Sequence, residues 1–99
     1  PYDVSIIPLI KKNDNAALEI ANNINNEFIK NNIDAIIDDT DENFSSKIKK
    51  MNLIGAPFQV IIGKQTDDDL IEFKRTGDES MKLKLEEIIK IIKEEKVKN

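Results

Sequence analysis

The run Phe58-Gln-Val-Ile-Ile-Gly63 limits what this 99-residue chain can fold into more than any other segment. A short, near-continuous apolar stretch rich in β-branched residues is a strand covered on both faces, so helices must lie above and below the sheet that holds it. Gly55-Ala-Pro57 turns the chain into this strand, which spans Gln59 to Ile62. Two further runs of the same kind precede it. Tyr2 to Leu9 is β-branched and closed by Pro8, whose missing amide ends a ladder, and Ile33 to Asp38 is a second short strand. Between them Ala17, Ile20, Ala21, Ile24 and Phe28 recur at helical spacing, with Asn13-Asp-Asn15 offering an N-cap and Asn31-Asn32 marking the end. A strand, a helix and a strand in that order predict a right-handed parallel crossover.

A second, shorter helix is expected from Ser45 to Met51, with Ile48 and Met51 inward and Lys47, Lys49 and Lys50 outward. After Asp67-Asp-Asp69 the rhythm changes. Leu70 to Lys74 and Ser80 to Lys84 alternate around the turn Thr76-Gly-Asp78, which predicts a hairpin. Leu85, Ile88, Ile89 and Ile92 then form one stripe of a last helix from Leu85 to Lys96. The order β-α-β-α-β-β-β-α describes a three-layer α/β/α domain with a mixed five-stranded sheet and three helices.

Ninety-nine residues make one domain, 1–99, and the start Pro1-Tyr2-Asp3, running straight into a strand, suggests a piece excised from a longer protein. With no Cys there is no disulfide framework and no thiolate metal site, which suits a reducing, cytoplasmic setting. No segment approaches the roughly 18 consecutive apolar residues of a membrane span. The terminal Lys-Glu-Glu-Lys-Val-Lys-Asn reads as a solvated tail. With no His, no Cys and no second catalytic element beside the carboxylates, no catalytic residue and no metal ligand is assigned.

The net charge of −4 argues against general nucleic-acid binding, which comes from neutralising many phosphates. Locally the balance reverses. From Asn43 to Thr66 four lysines (Lys47, Lys49, Lys50 and Lys64) occur without one acid, directly after the cluster Asp38, Asp39, Asp41 and Glu42. Lysines hold phosphates and carboxylates accept hydrogen bonds from base edges, so the pattern fits a small RNA-reading surface. Lys47, Lys50 and Lys64 are the phosphate candidates, while Lys49 fits a solvated helix face equally well. Phe44 suits stacking on an unpaired base, or a hydrophobic staple onto the second helix. Arg75, the single arginine, suits guanine or phosphate binding, or a surface pair with Glu72 or Asp78. Asp41 and Glu42 have a purely structural alternative as caps of the second helix. Asp38 is expected to face away and take no part.

Tyr2-Asp-Val-Ser-Ile-Ile-Pro8, Ile37-Asp-Asp39, Glu42, Met51-Asn-Leu-Ile-Gly-Ala-Pro57, Val60-Ile-Ile-Gly63 and Lys74-Arg75-Thr-Gly77 together resemble the C-terminal anticodon-binding domain of class II aminoacyl-tRNA synthetases, most closely the bacterial prolyl type. The resemblance runs from Tyr2 to about Ile92, departing from the family pattern at Thr40, Phe44-Ser45 and Ile48. It implies strand order 2-1-3-4-5 with strand 4 antiparallel. It also implies a proline tRNA anticodon stem-loop as partner, the catalytic domain of the same chain as neighbour, and ATP and Mg²⁺ used only in that catalytic domain. No cofactor belongs to the anticodon domain, which would be a monomer alone within a dimeric parent. Proline codons begin with two cytosines, so the tRNA carries two guanines. Each guanine offers adjacent N1–H and N2–H donors that one carboxylate can accept, and the resemblance points to Asp39 and Glu42 for that work. The rivals are the threonyl, glycyl or histidyl type of the same domain, and a receiver-like or flavodoxin-like regulatory domain using Asp38 and Asp39 for Mg²⁺ or phosphate chemistry.

Overall fold

Every residue of β1 (Val4–Pro8) and of β3 (Phe58–Ile62) is buried, as the apolar runs require of strands with neighbours on both faces and both edges. The structure, a computed structural model, describes residues 2–9, 16–38, 43–62 and 70–98, without the side chains of Phe44 and Lys98. The remaining elements are α1 (Ala16–Lys30), β2 (Ala35–Ile37), α2 (Phe44–Ile54), β4 (Leu70–Arg75), β5 (Met81–Lys84) and α3 (Leu85–Lys98). They form a five-stranded sheet of order β2-β1-β3-β4-β5.

β1 pairs in parallel with β2, Ser5 opposite Ile36, and with β3, Ile6 opposite Val60. β4 runs antiparallel to both neighbours, with Val60 opposite Phe73 and Ile71 opposite Leu83. The reversal agrees with the expected mixed sheet. It removes the receiver-like and flavodoxin-like reading, because that fold of the same strand order is built from parallel strands.

The pleat divides the core in two. On one face Val4, Ile6, Phe58, Val60, Ile62, Ile71 and Phe73 meet Ala21, Ile24 and Phe28 of α1 and Ile88 and Ile92 of α3. On the other, Ile7 and Ile61 meet Met51, with Ile36 and Ile48 packed alongside. Helix α2 thus covers β2, β1 and β3, and its cluster contains no described residue of β4 or β5. Gln59 anchors it further, donating from Nε2 to Asn52 Oδ1 at 3.0 Å.

Several boundaries differ from the sequence expectation. Strand β2 is only three residues long. Helix α2 extends beyond Ser45–Met51 at both ends, and Gly55 terminates it with φ 81°, its N–H reaching Met51 O. The terminal segment is not a loose tail: it continues α3 to Lys98. Lys96 Nζ donates to Asn32 O at 2.6 Å and lies 3.1 Å from Asp3 Oδ2, which also accepts the Asp34 amide. The proposed cap at residues 13–15 lies outside the described residues.

Gly55 offers a clean test of this ending. A Cβ built there meets nothing within 4 Å, so a side chain would bring backbone strain without a clash. Gly55→Ala should therefore cost about 1–2 kcal/mol in urea denaturation with an unchanged m-value, the penalty of an L-residue in the left-handed region.

Candidate nucleic-acid interface

Where β1 and β2 end, the ladder runs out and their last carbonyls need donors from elsewhere. Lys47, on the first turns of α2, supplies them. Its ammonium lies 2.8 Å from Pro8 O and 3.3 Å from Asp38 O, and the residue is only 1% exposed. Lysine is seldom so deeply buried unless its head is matched by acceptors, as this one is. Lys47 thus points inward, against the expectation of an outward lysine offered to phosphate. To meet a phosphate it would have to leave both carbonyls.

Asp38 is buried beside it. Its side chain is 1% exposed and its Oδ2 lies 3.2 Å from Lys50 Nζ, while the Lys50 side chain remains 40% exposed. A carboxylate at this depth requires compensating charge and hydrogen bonds, and Lys50 supplies the charge from one turn beyond Lys47. Lys49 is exposed on the outer side of the helix, as expected.

The start of α2 is set by Asn43, whose Oδ1 accepts the Ser46 amide at 2.9 Å from extended backbone geometry. Asn is as good a cap as Asp, and it occupies the position that the sequence reading offered to Asp41 or Glu42. Asp39, Asp41, Glu42 and Lys64 lie outside the described residues. Phe44 is the first residue of the helix rather than part of a loop, and a staple would need the residue before the cap.

Beyond α2 no described helix covers the second face of the sheet. Glu72 and Lys74 of β4 and Lys82 of β5 alternate with the inward Ile71, Phe73 and Leu83, so they point to the side that no helix covers. A shallow groove of about 540 Å³ runs there between Ile48 and Ile61 on one wall and Glu72, Lys74, Asp78 and Glu79 on the other. Lys74 and Lys82 are cations that the sequence reading left out. The signal for them was the hairpin's alternation, which puts its polar positions on one surface once the opposite face is taken as core.

Arg75 does not join this group. It is opposite Phe58, at the end of β3 far from Ile62 and the strand tips, with its guanidinium carbon 4.9 Å above the Phe58 ring. It pairs with neither Glu72 nor Asp78: its Nη2 lies 2.8 Å from Glu95 Oε1 on α3. Phe58 stacks in turn on Phe73 at 5.3 Å, so Arg75 closes a packed column on the face away from α2.

The described structure therefore unites Lys47, Lys50 and Asp38 at the end of the sheet where helix α2 begins, beside an open lysine-bearing strand face. The sequence matches the family described as "Anticodon binding domain" over residues 3–95, and the chain belongs to that family. It is 54% identical over 99 residues to a proline–tRNA ligase of Pelagibacter ubique, covering 100% of this chain and 22% of the relative. It is 41% identical over 96 residues to a proline–tRNA ligase of Fusobacterium nucleatum, covering 95% of this chain and 17% of that one. The chain thus spans only about a fifth of these relatives. A solved prolyl-tRNA synthetase from Cryptosporidium parvum shares the fold with a TM-score of 0.82 at 20% identity, over 95% of this chain and 21% of that one. Among the described residues no helix is long and apolar enough to cross a membrane.

The pairing at Asp38 can be measured by a double-mutant cycle of Asp38→Asn and Lys50→Gln. Each single change should destabilise the fold in urea, and the coupling should be about 1 kcal/mol, low in the usual range because Lys50 is partly solvated.

Proposed function

We propose that this chain is the anticodon-recognition part of a proline–tRNA ligase and binds the anticodon loop of proline tRNA. The observation that carries the reading is the 54% identity to such a ligase over the whole length of the chain. In this reading Asp39 and Glu42 accept hydrogen bonds from the Watson–Crick edges of the two guanines, which unpaired RNA leaves accessible. Phe44 stacks on a neighbouring base. Lys50 and Lys64, with Lys74 and Lys82 on the open strand face, neutralise nearby phosphates. The remainder of the longer chain carries the catalytic domain, where ATP and Mg²⁺ serve the joining of proline to tRNA, and a cytoplasmic dimer is its expected form.

The charge distribution supports selective binding rather than broad affinity. The chain carries a net −4, so affinity rests on a few local cations and is salt-sensitive, while discrimination rests on acceptors that fit guanine.

Binding of the 99-residue chain to a proline anticodon stem-loop, followed by fluorescence anisotropy, tests the proposal. Replacing either guanine by adenine should weaken binding about tenfold, the value of one well-formed base contact. Equal affinity for all three RNAs would remove the reading, and tighter binding to a threonine loop would move it to another member of the family. Glu42→Lys should lower guanine preference more than total affinity. Lys74→Ala and Lys82→Ala should weaken every RNA alike, each flattening the salt slope by about 0.7.

A further inference from the structure

A hydrogen-bonded junction at the start of β1 borders a hollow that the folded domain does not fill. Lys96 of α3 donates to Asn32 O just past α1 and meets Asp3 Oδ2, which in turn accepts the Asp34 amide, so three segments are tied at one point. Beside that point Tyr2, Ile29, Ile33, Asp34 and Ala35 line a shallow hollow of about 490 Å³. Tyr2 is 43% exposed and Ile29 59%, and Val97, the residue after Lys96, is exposed too. One exposed apolar side chain is ordinary, whereas two lining the same hollow beside a tied junction form a surface suited to contact.

We propose that this hollow seats the rest of the ligase chain, which docks on Tyr2 and Ile29 through an apolar protein surface of its own. It rests on the reading given above, in which this chain is one part of a longer ligase whose other parts precede Tyr2. Most of each relative lies outside the part that this chain matches. Tyr2 is then both the point of entry and a wall of the hollow, so a segment leading into it has the patch within reach. Size decides against a second copy. A free partner needs roughly 800 Å² a side for a stable interface, far more than two half-exposed side chains offer. A tethered partner is held at an effective concentration of about millimolar and needs much less. Charge decides against RNA. Lys30 and Lys96, on α1 and α3, lie 3.5 Å from Glu27 Oε1 and 3.1 Å from Asp3 Oδ2, and the lining adds the exposed acid Asp34. Cations already met by carboxylates attract phosphate weakly, whereas the centre of a protein interface carries few charges. The hollow also lies at the start of β1, the opposite end from Pro8 and Lys47, so docking there leaves the lysine-bearing end free.

Hydrogen exchange followed by mass spectrometry tests this on the full ligase chain and on the 99-residue chain, each with and without tRNA. The reporters are the amides of Asn31, Asn32 and Ile33, which close the end of α1 beside the hollow. In the full chain they should exchange about tenfold more slowly than in the 99-residue chain, because a docked surface suppresses local opening. Within the full chain, Ile29→Lys should remove that protection, while Leu53→Gln, at a still more exposed apolar side chain on α2, should leave it intact. Equal rates in the two wild-type chains would overturn the proposal. So would protection that survives Ile29→Lys, or that Leu53→Gln removes equally. Protection that rises with the concentration of the 99-residue chain would give the hollow to a second copy, and protection that needs tRNA would give it to RNA; either result overturns the proposal. Circular dichroism checks that each chain is folded, and where Ile29→Lys is not, Tyr2→Ser takes its place and is read in the same way. Failure of the RNA reading shows elsewhere, as absence of guanine preference in the stem-loop titration, and leaves these exchange rates unchanged.

Discussion

Burial of β1 and β3 on both faces is the constraint from which the rest of the molecule follows. Ser5 and Ile7 point one way and Val4 and Ile6 the other, so each strand needs cover on two sides. Helices α1 and α3 cover one side across most of the sheet, and among the described residues α2 is the one helix on the other. A single helix of 11 residues spans at most the three strands β2, β1 and β3. On the second face of the hairpin the outward positions are Glu72 and Lys74, both half-buried, and the exposed Lys82. The open strand face beside α2 is thus a consequence of unequal cover and needs no separate element to build it.

The antiparallel β4 follows from the same economy of chain. Two strands joined by a tight turn need no crossover helix, and Gly77 takes φ 93° in that turn. β5 then runs parallel to β1 at the edge, where Lys82 and Lys84 discourage pairing with another sheet. Arg75 closes the far end by stacking on Phe58 and reaching Glu95. That ties the hairpin to α3 on the face opposite α2, so the two ends of the sheet are stabilised by different chemistry: a cation on an aromatic column at one, buried lysine on carbonyls at the other.

Much of this was legible in the residues. Continuous apolar runs gave β1 and β3, helical spacing gave α1 and α3, and alternation around a glycine turn gave β4 and β5, because each of these patterns reports how many faces an element buries. The site was read less well, for a physical reason. Lysine is polar by type, which argues for an outward Lys47, yet positions 47, 48 and 51 fall at i, i+1 and i+4 on the inward stripe of the helix. Periodicity was the better guide. Asp38 was set aside because strand alternation says where a carboxylate points but not what meets it. The partner of Arg75 lies twenty positions away on another element, and local pattern carries no trace of it. Asn43 was overlooked as a cap because the neighbouring acids compete for the same role and only the first helical residue decides between them.

A buried ammonium at the ends of two parallel strands ties helix α2 to the sheet. Removing the Lys47 head would leave two buried carbonyls without its hydrogen bonds, at about 1–3 kcal/mol each for a group left unsatisfied. The side chain is thus fixed by the sheet before any ligand arrives. Lys50, one turn further on, balances Asp38 and remains partly exposed, so a positive charge stays at the edge without being free to swing away. Lys47, a phosphate candidate by residue type, is a buried donor that ties helix α2 to the ends of the sheet.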